Sequence, residues 1–152
     1  MKHSRVSAED IEMVKRLLDE NSPVIGGPPY HLEEKIGLKA FLLLKFTEKD
    51  QFIGFIEAEI NESEARITCL AVEHEFRHKG FGLEIIKTAL QELKSRQVER
   101  VFLFVNSSNI AAKGLYEKAG FGFVGLFQDN ETGESVEEME IEFEGPAPSY
   151  VS

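Results

Sequence analysis

In Leu70-Ala71-Val72-Glu73-His74-Glu75-Phe76-Arg77-His78-Lys79-Gly80-Phe81-Gly82, an apolar strand runs into a basic turn with two glycines, and a long helix begins. From Phe81 to about Arg96, the residues Ile85, Ile86, Ala89, Leu90 and Leu93 fall on one helical face. The first N–H groups of a helix have no partner within it and carry partial positive charge, so such a turn is an anion site. With no Cβ at Gly80 and Gly82, a ligand can come close to the main chain. Arg77, His78 and Lys79 add positive charge where the helix dipole disfavours it, which points to an anion there. An ordinary strand-to-helix turn with solvated basic side chains fits the same residues. Two nucleotide signatures fail: a dinucleotide fingerprint needs a third glycine where Ile85 stands, and a Walker loop needs Gly-Lys-Ser/Thr.

Upstream, Arg66 to Val72 reads as a strand. It follows Phe41–Phe46 and Phe52–Ile60, which meet at Glu48-Lys49-Asp50-Gln51 as an antiparallel hairpin. Ser7 with Asp10 marks a helix start, and Ile11, Val14, Leu17 and Leu18 form its apolar face. Pro23 and Gly26-Gly27-Pro28-Pro29 break that helix into a loop, and a short helix is expected from His31 to Ile36. Downstream, the almost wholly apolar Val101–Val105 predicts a strand buried on both faces. Ile110 to Ala119 is a helix ended by Gly120. Phe123–Phe127 and Val136–Phe143 are final strands around the turn Asn130-Glu131-Thr132-Gly133. A meander followed by strand-helix-strand-helix-strand implies an α/β (α+β) fold, a mixed sheet with helices on it. Residues 1–145 are expected to form one domain, with 146–152 as a C-terminal tail.

The chain has 152 residues, 42% of them hydrophobic and 29% charged, which is the composition of one globular domain. No apolar run approaches the roughly 20 residues needed to cross a bilayer, so no membrane partner is expected. The N-terminus has no apolar signal-peptide core, and the single cysteine, Cys69, excludes an internal disulfide framework. A cytoplasmic location is the resulting expectation. The formal net charge of −10 argues against a nucleic-acid partner, because phosphate binding needs a basic footprint. It is compatible with a cationic substrate and equally with solubility alone.

A second motif lies downstream of the glycine turn. Asn109-Ile110-Ala111-Ala112-Lys113-Gly114-Leu115-Tyr116-Glu117-Lys118-Ala119-Gly120-Phe121 looks like Asn-x-x-Ala-x-x-Leu-Tyr-x-x-x-Gly-Phe. Arg77-His78-Lys79-Gly80-Phe81-Gly82 fits Arg/Gln-x-x-Gly-x-Gly/Ala. In this order, separated by a helix and a strand, the two motifs resemble those of the GNAT superfamily of N-acetyltransferases. The match runs from about Ile67 to Phe123; the flanking elements agree only in order and length.

The resemblance implies a mainly antiparallel sheet of about six to seven strands flanked by about four helices. Lys2 to Arg5 would supply the extra strand. It further implies that central strands splay apart and that the pantetheine arm of acetyl-CoA, the co-substrate, lies between them. Leu70, Ala71 and Val72 would offer main-chain hydrogen bonds to pantetheine and thioester. Arg77, His78, Lys79, Gly80, Phe81 and Gly82 would hold the pyrophosphate, Asn109 the pantetheine arm, and Tyr116 would stand near the sulfur. By the same analogy, Tyr30 and His31 would contact the acceptor. The implied reaction is acetyl transfer to a primary amine, on a small molecule or a protein. The alternative is a catalytically silent acyl-CoA-binding regulatory domain. A homodimer is also compatible, since relatives pair their last strands.

Acetylation of an amine needs a neutral nitrogen, stabilisation of an oxyanion and a proton for the departing thiolate. Backbone N–H groups near Leu70 to Val72 could serve the oxyanion. Tyr116 is the candidate acid, although a phenol near pKa 10 gives its proton to a thiolate near about 8.5 at a cost of about 2 kcal/mol. Glu64 is the candidate base, because the position where the family often carries a glutamate is occupied by Arg66. Glu57, Glu59 and a water chain are rivals. Cys69, His74 and His78 lack a clear fourth ligand, so no metal is expected. Glu138, Glu140 and Glu142 alternate with Met139, Ile141 and Phe143, which reads as an acidic row on an edge strand or an attraction for a cationic acceptor.

Overall fold

A computed structural model of the chain describes residues 1–21 and 30–144. The Gly-Pro loop expected after Pro23 and the tail 146–152 lie outside the described residues. The strands are β1 (Lys2–Arg5), β2 (Phe41–Glu48), β3 (Gln51–Asn61), β4 (Glu64–Val72), β5 (Arg100–Asn106), β6 (Gly122–Gln128) and β7 (Ser135–Glu142). The helices are α1 (Ile11–Glu20), α2 (Leu32–Lys35), α3 (Phe81–Ser95) and α4 (Ile110–Ala119). The strands form one sheet in the order β1-β2-β3-β4-β5-β7-β6, antiparallel except for the pair β4–β5. This is the mixed, mainly antiparallel architecture expected above.

Local chemistry accounts for most element boundaries. β2 and β3 turn at Lys49 and Asp50, both at positive φ (50° and 65°), the sign that suits the right-handed twist of a two-residue hairpin. Asp10, just ahead of α1, accepts from the Ser7 N–H at 2.8 Å and the Ser7 hydroxyl at 3.0 Å. α4 begins where the Asn109 side-chain oxygen accepts the Ala112 N–H at 3.1 Å, and stops at Gly120, whose φ is +107°.

The sheet has a core on each side. Ile85, Ile86, Ala89 and Leu93 of α3 pack on Leu42, Leu44, Ile56, Val101 and Leu103. On the opposite side, Val14, Leu17 and Leu18 of α1 and Leu32 of α2 pack on Leu43, Phe55, Cys69 and Ala71. β4 serves both cores because it is bulged. Glu57 pairs with Cys69 and Ala58 with Ile67, leaving Thr68 as an extra residue. Ala65 and Ile67 face α3; past the bulge, Cys69 and Ala71 face α1. One inserted residue reverses the facing of a strand because side chains alternate with period two.

Two expectations are corrected. β5 is buried on one face only: Val101, Leu103 and Val105 are in the core, whereas Phe102 and Phe104 are half-buried. Their side of β5 carries stacked cations instead, with the Arg100 guanidinium 4.7 Å from the Phe102 ring centre and Arg66 4.9 Å from that of Phe104. Nor is β7 an edge. The β6–β7 hairpin folds back so that the later strand pairs with β5 along its length, leaving β1 and β6 at the margins. Glu138 and Glu140 are held by Arg100, Glu138 at 3.1 Å, and Glu64 approaches the same guanidinium at 3.3 Å.

Candidate active site

β4 and β5 pair only at Glu64–Arg100, Ala65–Val101 and Arg66–Phe102; beyond Arg66 and Phe102 they part. A strand separated from its neighbour keeps main-chain donors and acceptors that a ligand can use. Two cavities, of about 580 and 710 Å³, open into the cleft. Asn21, Leu70, Asn109, Ala112 and Tyr116 line both of them, so they are two ends of one groove.

The larger end reaches the basic turn, where Ala71, Val72, Arg77, His78, Gly80 and Gly82 line it. Gly80 has φ +87° and precedes α3 with no side chain capping the helix. A Cβ built there meets nothing within 4 Å, so the approach to the free N–H groups is open. Gly82 is small for a further reason: a Cβ there would lie 3.3 Å from Leu115 Cδ2, so it also lets α4 pack closely on α3. Arg77 is partly committed to the protein itself. Its Nε donates to the Val72 carbonyl at 3.1 Å and its Nη2 to the Asn21 side-chain oxygen. His78 has φ +62°, and Lys79 leans over Phe76, its ammonium 5.8 Å from the ring centre. Phe81 packs edge-on against Phe76 and supports the turn. The sequence reading missed Asn21 and Lys118, which also line this end. Asn21 carries no local signal beyond ending α1, and Lys118 occupies a variable position of the second motif.

At the smaller end stand Thr68, Cys69, Phe104, Asn106 and Glu134. Tyr116 lies where the two ends join, its ring edge-on to Phe121 at 5.9 Å. Burial, with a smaller effect from Cys69, pushes the Tyr116 phenol up to about 12. Burial likewise pushes the Cys69 thiol up to about 12, Glu57 adding to the effect and Lys35 opposing it. Cys69 is thus a neutral thiol at pH 7 and a poor nucleophile.

The candidate bases separate clearly. Glu64 lies at the paired end of β4, on Arg100, four residues or about 13 Å along the strand from Thr68. Glu59 is exposed opposite Arg66. Glu57 is 6% exposed; its carboxylate accepts from the Thr68 hydroxyl and, at 3.0 Å, from Lys35. Tyr30 and His31 line neither of these two cavities. Tyr30 packs under α1, where burial first and Asp19 second push its phenol up, and the His31 side chain is exposed beside Glu34 at 3.7 Å. Among the described residues no three His, Cys, Asp or Glu side chains group as metal ligands.

The open sheet, the cleft between parallel strands and the glycine turn at the head of α3 together form one groove with an uncapped helix start at its end. The sequence model of the acetyltransferase (GNAT) family matches residues 11–121, and the chain belongs to that family. Among relatives, the [ribosomal protein bS18]-alanine N-acetyltransferase of Salmonella typhimurium is 35% identical over 81 residues, 53% of this chain and 55% of the relative. The chain thus matches about half the length of such relatives. Among solved structures, the ribosomal-protein-S18-alanine N-acetyltransferase from Escherichia coli superposes with a TM-score of 0.83 at 19% identity, covering 97% of each chain. A mutant of the spermidine N-acetyltransferase from Vibrio cholerae gives 0.80 at 22% identity, covering 93% of this chain and 95% of that one. At such identities the superpositions speak for the fold.

Proposed function

We propose that the chain transfers an acetyl group from acetyl-CoA to a primary amine by direct attack of the amine on the thioester. The observation that carries this reading is the parting of β4 from β5 beyond Arg66 and Phe102, in a groove running from the N-terminus of α3 to Tyr116. The residues there suit the co-substrate. The open approach at Gly80 and the uncapped N–H groups of α3 suit a pyrophosphate, with His78, Lys118 and the remaining donors of Arg77 beside them. The free edge of Leu70–Val72 suits an amide-bearing arm. Asn109 spends its side-chain oxygen on capping α4 and keeps its NH₂ for the ligand.

Backbone N–H groups at the bulged part of β4 would steady charge developing on the thioester oxygen. Tyr116 would donate a hydrogen bond to the departing sulfur. A phenol held at about 12 is fully protonated at pH 7, so this donor is always present. Complete transfer to a thiol of pKa about 8.5 is uphill by about 5 kcal/mol, which makes hydrogen-bond donation its main contribution. Glu64 has no part in this reading, since Arg100 holds it outside the groove.

For the acceptor we take the amine of an alanine-initiated peptide, by analogy with the bS18-alanine relatives. Spermidine is the small-amine comparison. The compartment is the cytoplasm, in keeping with a single cysteine present as a free thiol. A second copy is assigned to the outer edge of β6, where Phe123, Val124, Leu126 and Phe127 are exposed on a strand without a charged residue. Sedimentation tests that pairing. Calorimetric titration with acetyl-CoA, followed by mass spectrometry of both amines, tests the activity. Micromolar binding and a gain of one acetyl group are expected; folded protein that binds no acetyl-CoA overturns the reading.

A further inference from the structure

An amine is protonated at neutral pH and attacks only after losing a proton. Among the described residues two carboxylates are buried, Asp10 and Glu57. Asp10 is engaged by Ser7 and Lys45 at the start of α1. Glu57 has a different setting. It lies on β3 opposite Cys69, and its carboxylate receives the Thr68 hydroxyl. Thr68 is the extra residue of the β4 bulge and lines the smaller end of the groove, so a side chain touching the cavity is joined by one hydrogen bond to a buried carboxylate. Burying a carboxylate is costly unless it is paired, and Lys35 at 3.0 Å supplies the pair. Among the described residues, the other titratable groups around Glu57 are Cys69 on β4 and, beyond it, Tyr30 and Tyr116; β2 contributes Leu43.

We propose that Thr68 takes the proton of the acceptor amine while passing its own hydroxyl proton to Glu57, with Lys35 holding the carboxylate in place. This rests on the acetyl-transfer reading. One N–H bond of the ammonium breaks and an O–H bond forms on Thr68, as the former Thr68 O–H bond breaks and a carboxyl O–H bond forms on Glu57. The ammonium becomes a neutral amine and the carboxylate a neutral acid. The amine lone pair then forms the C–N bond as the C–S bond breaks, the thiolate leaves with a hydrogen bond from the Tyr116 hydroxyl, and the second nitrogen proton is passed through water to the sulfur. The proton on Glu57 returns through Thr68 to water, so each turnover yields amide, free thiol and one proton. Thr68 touches the amine and is the catalytic residue; Glu57 acts through it as a positioning residue.

The test compares Glu57→Gln, Thr68→Val and Thr68→Ser in the full chain, with the alanine-initiated peptide and spermidine as acceptors at saturating acetyl-CoA. Glu57→Gln and Thr68→Val are expected to lower kcat about 100-fold at pH 7 while binding acetyl-CoA as the wild type does. Thr68→Ser, which restores the hydroxyl, recovers most of that loss. For the peptide the deficit shrinks as pH rises past about 8, where an α-amine sheds its proton unaided. A packing defect lowers kcat equally at every pH. An unchanged kcat in Glu57→Gln, a loss independent of pH, or a serine variant no better than valine overturns the relay. If Glu57→Gln does not fold, the valine–serine pair decides. Active wild type beside unaffected variants removes the relay alone. A wild type that binds acetyl-CoA but acetylates neither amine removes the acetyl-transfer reading and the relay with it.

Discussion

In the proposed reaction Tyr116 and Asn109 would each add a second role to a structural one, and the two roles can be separated by substitution. Tyr116 packs on Phe121 and lines the groove at both ends. Tyr116→Phe keeps the packing, so kcat is expected to fall about 100-fold while acetyl-CoA affinity stays within roughly threefold, as steady-state rates and calorimetry will read. Asn109 caps α4 through its oxygen, which leaves its NH₂ for a ligand. Asn109→Asp retains the cap and should lose affinity for acetyl-CoA alone. Asn109→Ala should lose the same affinity and also about 1 kcal/mol of stability in urea denaturation. Both residues belong to a motif visible in the sequence, because a helix cap and its stop are local features. Asn21 was invisible for the opposite reason: it enters the groove only because α1 ends beside the β4 turn, where Arg77 reaches it.

At the scale of the element, β4 and β5 decide where the groove lies. Their pairing begins normally at the Arg100 end, where one guanidinium gathers Glu64 from β4 with Glu138 and Glu140 from β7. Removing that charge leaves three carboxylates facing one another on a single side of the sheet. Arg100→Met should therefore cost about 2 kcal/mol in chemical denaturation, and the cost should lessen as added salt screens the repulsion. The acidic row on β7 was legible as a row, but its partner was not, since Arg100 lies about 40 residues earlier and only strand order brings it near. The bulge at Thr68 was also illegible. Buried and half-buried residues alternate without a break from Ala65 to Val72, although the two halves of the strand serve opposite cores.

For the whole molecule, the core opposite α3 depends on α1 being fixed across the sheet, and Asp10 links it to β2 through Lys45 at 2.6 Å. Burial pushes the Asp10 carboxyl up, but the Lys45 ammonium and the Ser7 donors outweigh it and hold the group below the usual carboxylate range. A group whose folded pKa is depressed contributes stability that is present above its unfolded pKa, about 3.9, and is lost as pH falls through the folded value. Wild type should therefore exceed Asp10→Asn in thermal stability at pH 7, with the difference closing below about pH 4. A difference that persists undiminished at pH 2 assigns the effect to packing instead of charge.

What the sequence determined by itself was local in origin. Hydrophobic periodicity defined α1, α3 and the strands, Asn109 and Gly120 bounded α4, and Gly80 marked the glycine turn at the head of α3. Each follows from backbone geometry and side-chain chemistry within a few residues. Tertiary structure alone decided which strand formed the edge, where the parallel pair parts and which of three glutamates meets Thr68 beside the groove. Glu57, Glu59 and Glu64 look alike in the sequence; one is buried on Thr68, one faces solvent, and one is bound by Arg100. That difference arises from pairing between distant segments, whose register and burial no local window contains.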